Sequence, residues 1–245
     1  MRTRGVFIPA VLLIVCGLLL PARAKEGSFT LVYTNSLNGY LDYCLCKEDP
    51  KGGLVKRATE LRALRAAYGS PVLVETGDFF AYQCDPLLAE YLVKAYALMA
   101  YDAIAVGDQE FSGGIELITG HRWGLPLLSN NLLVYDMFAW QAMFRRATMV
   151  ERGGIRIGII GSISADAFKY YPAKITDRVR VLDQLAEIKK DVDSLKAAGA
   201  DFIILLSHSG HDHDWRSSAR CPTWDSSWAG IRRRCSARRS PPAGP

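Results

Sequence analysis

The sequence lacks what would take it out of the ordinary globular class. Six cysteines in 245 residues are too few for a disulfide scaffold. With 22% charged and 49% hydrophobic residues, the chain is neither disordered nor collagenous. No internal repeat is visible, and no linker interrupts residues 28–210. The amino-terminal apolar run, Val6–Leu20, has 15 residues, short of the ~20 that a membrane span needs. Lys and Glu are absent from residues 216–245, where seven Arg and one Asp give a net +6. The first 24 residues add three Arg and no acid. Taking those nine charges from the overall +5 leaves residues 25–215 at −4. The basic pI thus belongs to the two ends, and nucleic acid is not expected as a partner.

What is present begins with a targeting pattern. Arg2 and Arg4 precede the apolar run, and Ala22 and Ala24 stand at the −3 and −1 positions of a cleavage site after Ala24. Val15 before Cys16 is not small, which argues against lipidation. Residues 1–24 read as a signal peptide, so the protein is expected to be exported to the periplasm or the extracellular space. Membrane contact would come only through an uncleaved signal segment.

Residues 25–214 alternate short apolar strands with helices. Phe29–Tyr33, Val72–Val74, Ala103–Val106, Leu127–Ser129 and Phe202–Leu206 read as strands. Arg146–Glu151 and Ile155–Ile160 flank Arg152-Gly153-Gly154 as a hairpin. Leu54–Tyr68 carries Leu54, Ala58, Leu61, Leu64 and Ala67 on one helical stripe. Pro86–Leu98 opens with proline at its first turn, and Val181–Ala198 is amphipathic. This order implies an α/β layered fold with its site at the carboxyl ends of the strands.

Chemistry collects at those ends. The first strand is followed by Thr34-Asn35-Ser36-Leu37-Asn38-Gly39, the second by Gly77-Asp78, the third by Gly107-Asp108-Gln109-Glu110. The last strand runs into Ser207-His208. With Gly52-Gly53-Leu54-Val55-Lys56-Arg57 between the first two, this order resembles the calcineurin-like metallophosphoesterases over roughly residues 28–214. It is most similar to the exported 5′-nucleotidase and UDP-sugar hydrolase branch. Tyr101-Asp102-Ala103 and Pro126-Leu127-Leu128-Ser129-Asn130 carry the same likeness.

The resemblance implies mixed sheets flanked by helices, and two metal ions bridged by one carboxylate that activate water against a phosphoester. Asp78 matches the bridging Asp, and His208 a His ligand of the second metal. Asp108 stands where the family has a ligating Asn; the bland reading is a turn or helix cap. Ser36 and Asn38 replace the Asp and His of the first motif and are poor substitutes. Gln109 replaces the His that protonates the leaving group, and it cannot serve as an acid. The implied cofactor is therefore a divalent ion (Mn, Zn, Mg or Co), one rather than two. Glu110 reads as ordering its loop and His121 as a helix cap. His211 and His213 lie too close behind His208 to be the family's later Gly-His-x-His.

Cys44 and Cys46 form C-x-C, and Cys84 lies six residues after Asp78. The three could converge near the vacated metal position. Such a set is similar to a branch of the superfamily that includes selenoproteins. Soft-metal or redox work, a structural disulfide and inert thiols all remain open.

From Trp215 onward regular patterning stops, and residues 215–245 read as a non-native basic tail. Read one base earlier with GC-rich codons, Trp215–Ile231 can encode a segment similar to the family's approach to Gly-His-x-His, which implies a frameshift after about residue 214. The fold would then be incomplete at its carboxyl end, with the first sheet's face short of its partner layer. The reading is a weak or inactive phosphoester hydrolase of the 5′-nucleotidase type, acting on a small phosphoester or nucleotide. The alternative is an exported thiol-based redox or soft-metal protein on the same scaffold.

Overall fold

Eleven strands and five helices follow the predicted alternation in a computed structural model that describes residues 27–42, 52–119 and 124–210, with the backbone of 228–231. The first layer holds β1 (Leu31–Thr34), α1 (Leu54–Tyr68), β2 (Val72–Glu75), α2 (Pro86–Met99), β3 (Ala103–Ala105), α3 (Ile115–Thr119) and β4 (Leu127–Leu128). Then come β5 (Leu132–Tyr135), β6 (Trp140–Gln141), β7 (Ala147–Arg152), β8 (Ile155–Ile163), α4 (Ala173–Thr176), β9 (Val179–Val181), α5 (Gln184–Ala197), β10 (Phe202–His208) and β11 (Trp228–Ile231).

Local chemistry sets several of these boundaries. Asp85 caps α2 by accepting from Leu88 N at 2.9 Å, ahead of Pro86 at the first turn. Asp183 caps α5 by accepting from Ala186 N at 2.7 Å. That cap starts the helix at Gln184, three residues later than its pattern suggests. Val179–Val181, read as loop and helix, instead pairs antiparallel with Leu132–Val134.

The strands form three sheets. β1-β2-β3-β4 is wholly parallel. The second has the order β11-β10-β8-β7, with only the β7–β8 hairpin antiparallel. A small antiparallel sheet, β6-β5-β9, lies apart in the hydrogen-bond pattern. Both larger sheets are flanked by helices. Leu61 of α1 and Leu92, Val93 and Tyr96 of α2 join Leu73 and Ile104 in the main core. Ile188, Val192 and Leu195 of α5 pack with Ile160, Ile203 and Leu205 on the second sheet.

Between the sheets, Val72, Val74, Ala103, Ala105 and Leu128 share one cluster with Ile157, Ile159, Ile204 and Leu206, all fully buried. The expectation of an uncovered sheet face is therefore corrected. The β7–β8 hairpin and β10 already supply three strands, and they close over the first sheet. Contact is close enough that a Cβ on Gly161 would meet Leu128 O at 2.5 Å. A second correction concerns regular structure after Trp215, since the backbone of Trp228–Ile231 pairs parallel with Ile203–Leu206. Pairing on both sides, with β8 and with this segment, keeps β10 from being an edge strand. Among the described residues no helix is long and apolar enough to cross a membrane.

Candidate metal centre

Three strand ends deliver the central residues. Asp78 follows β2, Asp108 follows β3, and His208 closes β10 in the facing sheet. Their ligand atoms all lie within 4.8 Å of one another. His208 Nε2 is 3.0 Å from Asp108 Oδ1 and 3.3 Å from Asp78 Oδ1, while Nδ1 contacts Thr76 O at 2.8 Å. A carbonyl can only accept, so Nδ1 carries a proton there, and Nε2 is left facing two carboxylates. Burial lowers the His208 pKa, but the hydrogen bond to Asp108 and the Asp78 charge outweigh it and raise it to about 9. A buried site whose carboxylate acceptors draw a proton onto the facing imidazole is one that suits a cation.

The approach of these loops depends on two glycines. A Cβ on Gly107 would lie 2.5 Å from Asp78 Oδ1 and 2.8 Å from His208 Cε1. A Cβ on Gly77, at φ +96°, would lie 2.7 Å from Gly107 N. Asp78 is itself left-handed at φ 61°, a conformation that Asp tolerates better than most residues.

Glu110 fixes this arrangement, in line with its reading as a loop-ordering residue. Its fully buried carboxylate accepts from Gly107 N (2.6 Å), Phe79 N (2.8 Å), Asp78 N (3.1 Å) and Phe80 N (3.2 Å). Burial and then the Asp78 charge push its carboxyl up to about 7, against the backbone hydrogen bonds that favour the ionised form. One side chain thus ties the loop of Asp78 to the loop of Asp108.

The degenerate positions are bound into the same site. Gln109 Nε2 donates to Asn38 Oδ1 at 2.9 Å and to Asp78 Oδ2 at 3.2 Å. Its amide oxygen is buried without a hydrogen-bond partner. Asn38 Nδ2 donates to Ser36 O at 3.1 Å. Ser36 N and Asn38 N donate to Gly77 O and Asp78 O at 3.0 and 2.9 Å, which joins the β1 and β2 loops. Beneath them Arg57 reaches Glu75, Tyr96 OH and Asn35 O. Ser36 also lines a cleft of about 520 Å³ with Tyr40, Asp42, Lys56, Arg57 and Glu60.

Cys84 is buried in the main core. Burial pushes its thiol up, away from the thiolate a reactive cysteine needs. Cys44, Cys46, His121, His211 and His213 lie outside the described residues.

Sequence reasoning misses Tyr171. Its hydroxyl donates to Asp108 Oδ2 at 3.1 Å, and its ring meets Phe168 and Tyr82 at centroid distances of 5.7 and 6.2 Å. Burial and then Asp108 hold the phenol well above its usual range, so it remains a donor.

Comparison with known proteins fits this geometry. No family profile matches the chain. The chain is similar to the 5′-nucleotidase of Vibrio vulnificus (strain CMCP6), 30% identical over 179 residues, which are 69% of this chain and 32% of that protein. The 5′-nucleotidase precursor of Thermus thermophilus superposes with a TM-score of 0.63 at 27% identity, over 77% of this chain and 38% of that one. The calcineurin-like phosphoesterase YfkN of Bacillus subtilis superposes with a TM-score of 0.62 at 21% identity, over 76% of this chain and 64% of that one, a likeness of fold. The chain spans about a third of the length of the Vibrio relative. In sequence the chain is similar to the 5′-nucleotidases, and its fold is that of a calcineurin-like phosphoesterase.

Proposed function

We propose that the protein is a slow, metal-dependent phosphoester hydrolase of the 5′-nucleotidase type, holding one divalent ion rather than two. The observation that carries the reading is the convergence of Asp78, Asp108 and His208 at the ends of β2, β3 and β10. Two carboxylate oxygens and an imidazole suit Mn, Zn, Mg or Co, and Asp78, Asp108 and His208 would hold the ion. Such an ion supplies Lewis acidity, which acidifies water and polarises a phosphoryl oxygen. The remaining work belongs to the chain. Glu110 holds the two acidic loops in register, and the Thr76 carbonyl sets the His208 tautomer. The Gln109 amide occupies Asp78 Oδ2, the oxygen that a second cation would need. Its two amide hydrogens are given to Asn38 and Asp78, and it cannot hand a proton to the leaving group.

The substrate class is a nucleotide or another small phosphoester. The Arg2/Arg4 and Ala22/Ala24 pattern supports export after cleavage near Ala24. The test is metal content of the full chain together with phosphate release from a nucleotide monophosphate and from p-nitrophenyl phosphate. One equivalent of hard or borderline metal and slow release, both lost in Asp78→Ala, support the reading. Release that survives Asp78→Ala and chelation overturns it.

A further inference from the structure

Asp108 has two oxygens, and the structure assigns each a different partner. Oδ1 faces His208 Nε2 at 3.0 Å, on the side of Asp78. Oδ2 accepts the Tyr171 hydroxyl at 3.1 Å. Tyr171 comes from a distant stretch, just after the short helical turn Ala165–Phe168 that follows β8. It is held there by a backbone bond to Phe168 O at 2.9 Å and by ring contacts to Phe168 and Tyr82. Pro172, the N-cap of α4, follows immediately. Its fixed φ limits the freedom of the segment. The hydroxyl is thus presented by a braced element rather than by a loose loop.

We infer that Tyr171 is a positioning residue that commits Asp108 to one-oxygen ligation and so selects which cation the site takes. The inference rests on the single-metal reading above. With Oδ2 engaged, Asp108 offers only Oδ1 to the space between Asp78 and His208. A carboxylate so restricted suits a small ion with few ligands. Ions such as Ca²⁺, which take six to eight oxygens and can use a carboxylate through both, lose that second oxygen here. Hydrogen bonds to ligating carboxylates commonly control metal affinity in this way.

The test uses the full chain and Co(II) alone as probe, read by its visible absorption and by titration. Tyr171→Phe keeps the ring and removes the hydroxyl. We expect Co(II) affinity to fall roughly tenfold to a hundredfold. We also expect the Co(II) band to weaken as Asp108 turns to two-oxygen ligation, and Ca²⁺ to compete more effectively. Tyr170→Phe, at an exposed neighbour, should change neither. Unchanged affinity, band and competition in a Tyr171→Phe protein that unfolds at the wild-type temperature overturn the inference and leave the single-metal reading intact. If Tyr171→Phe folds poorly, Asp108→Asn decides, because an amide ligates through its single oxygen whatever Tyr171 does. A ratio of Co(II) to Ca²⁺ affinity like that of wild type supports one-oxygen ligation by Asp108, and a ratio that rises steeply shows that wild-type Asp108 uses both oxygens and overturns the inference. Absence of Co(II) binding by wild type would overturn both this inference and the reading beneath it.

Discussion

The Gln109 side-chain amide donates to Asp78 Oδ2 at 3.2 Å, so on the proposed reading an uncharged donor stands beside Asp78 where a second cation would be held. The same nitrogen donates to Asn38 Oδ1 at 2.9 Å, which replaces charge–ligand chemistry with an amide link between two loops. Ser36→Asp with Asn38→His and Gln109→His should remove that link and restore ligands of the family type. Ser36 and Asn38 are left-handed at φ 42° and 52°, a conformation that Asp and His adopt more readily than most residues. The triple variant should bind more than one metal ion per chain by elemental analysis, where the single-metal proposal expects one for wild type. An unchanged stoichiometry would show that the first site fails for a reason other than these three side chains.

Glu110 satisfies four buried N–H groups from two loops. Each buried donor left unsatisfied costs about 1–3 kcal/mol. Glu110→Ala should therefore lower unfolding free energy by at least about 3 kcal/mol, measured by urea denaturation. Glu110→Gln has one carbonyl oxygen with two lone pairs and should fall between Ala and wild type. Equal losses for the two variants would mean that the cage has no separate energetic role.

The parts of this site differ in how far the sequence exposes them. Helix α1 is legible from its stripe, and Leu61 is indeed buried while Leu54, Ala58 and Leu64 pack against the core. Asp78, Asp108 and His208 stand out in the sequence by their likeness to the family's motifs, and the structure brings them together because loops at strand ends converge in layered α/β folds. The cover over the first sheet is not legible, because it depends on how the β7–β8 hairpin and β10 pair, a long-range matter with no local signature. β9 escapes for the same reason: three residues become a strand only because Leu132–Val134 lies beside them. Tyr171 sits 63 residues from Asp108 on an irregular turn, and no spacing rule links such positions.

A pH-dependent pair joins the second sheet to α5. Glu187 accepts from Lys190 at 2.5 Å and from Arg146 at 2.7 Å, and Arg146 also reaches Asp191 at 2.8 Å. The Lys190 hydrogen bond, then that of Arg146, holds the Glu187 carboxyl below its usual 4.5. A depressed folded pKa contributes stability that is full above pH 4.5 and is lost as pH falls through the lower folded value. Glu187→Gln should therefore be less stable than wild type at pH 7, by about 1 kcal/mol because the pair is partly screened. That deficit should vanish in acid. A deficit that stays constant from neutral to acid pH would assign the loss to packing instead.

The reading of residues 215–245 as a shifted frame makes a prediction about DNA. Beyond the codon for Asp214, a frame offset by one base should stay open and encode a further domain. Resequencing the locus tests this, and an early stop in the offset frame would sink it.

Turnover should betray the missing acid. On the proposed reading Gln109 takes the place of the leaving-group acid, and general acid catalysis is commonly worth about 10²–10⁴ in rate. A good leaving group needs little protonation, whereas a ribose alkoxide needs it fully. Wild type with Mn(II) or Co(II) should therefore release phosphate from p-nitrophenyl phosphate measurably and from a nucleotide 5′-monophosphate more slowly by about a hundredfold or more. The single change Gln109→His should narrow that gap chiefly by raising turnover of the nucleotide, since binding of either ester is not what the acid improves. Cys84→Ser should leave both rates unchanged if its buried thiol serves only packing. Fast wild-type turnover of the nucleotide, abolished by Asp78→Ala, would mean that another donor already protonates the leaving group and that Gln109 does not limit the reaction.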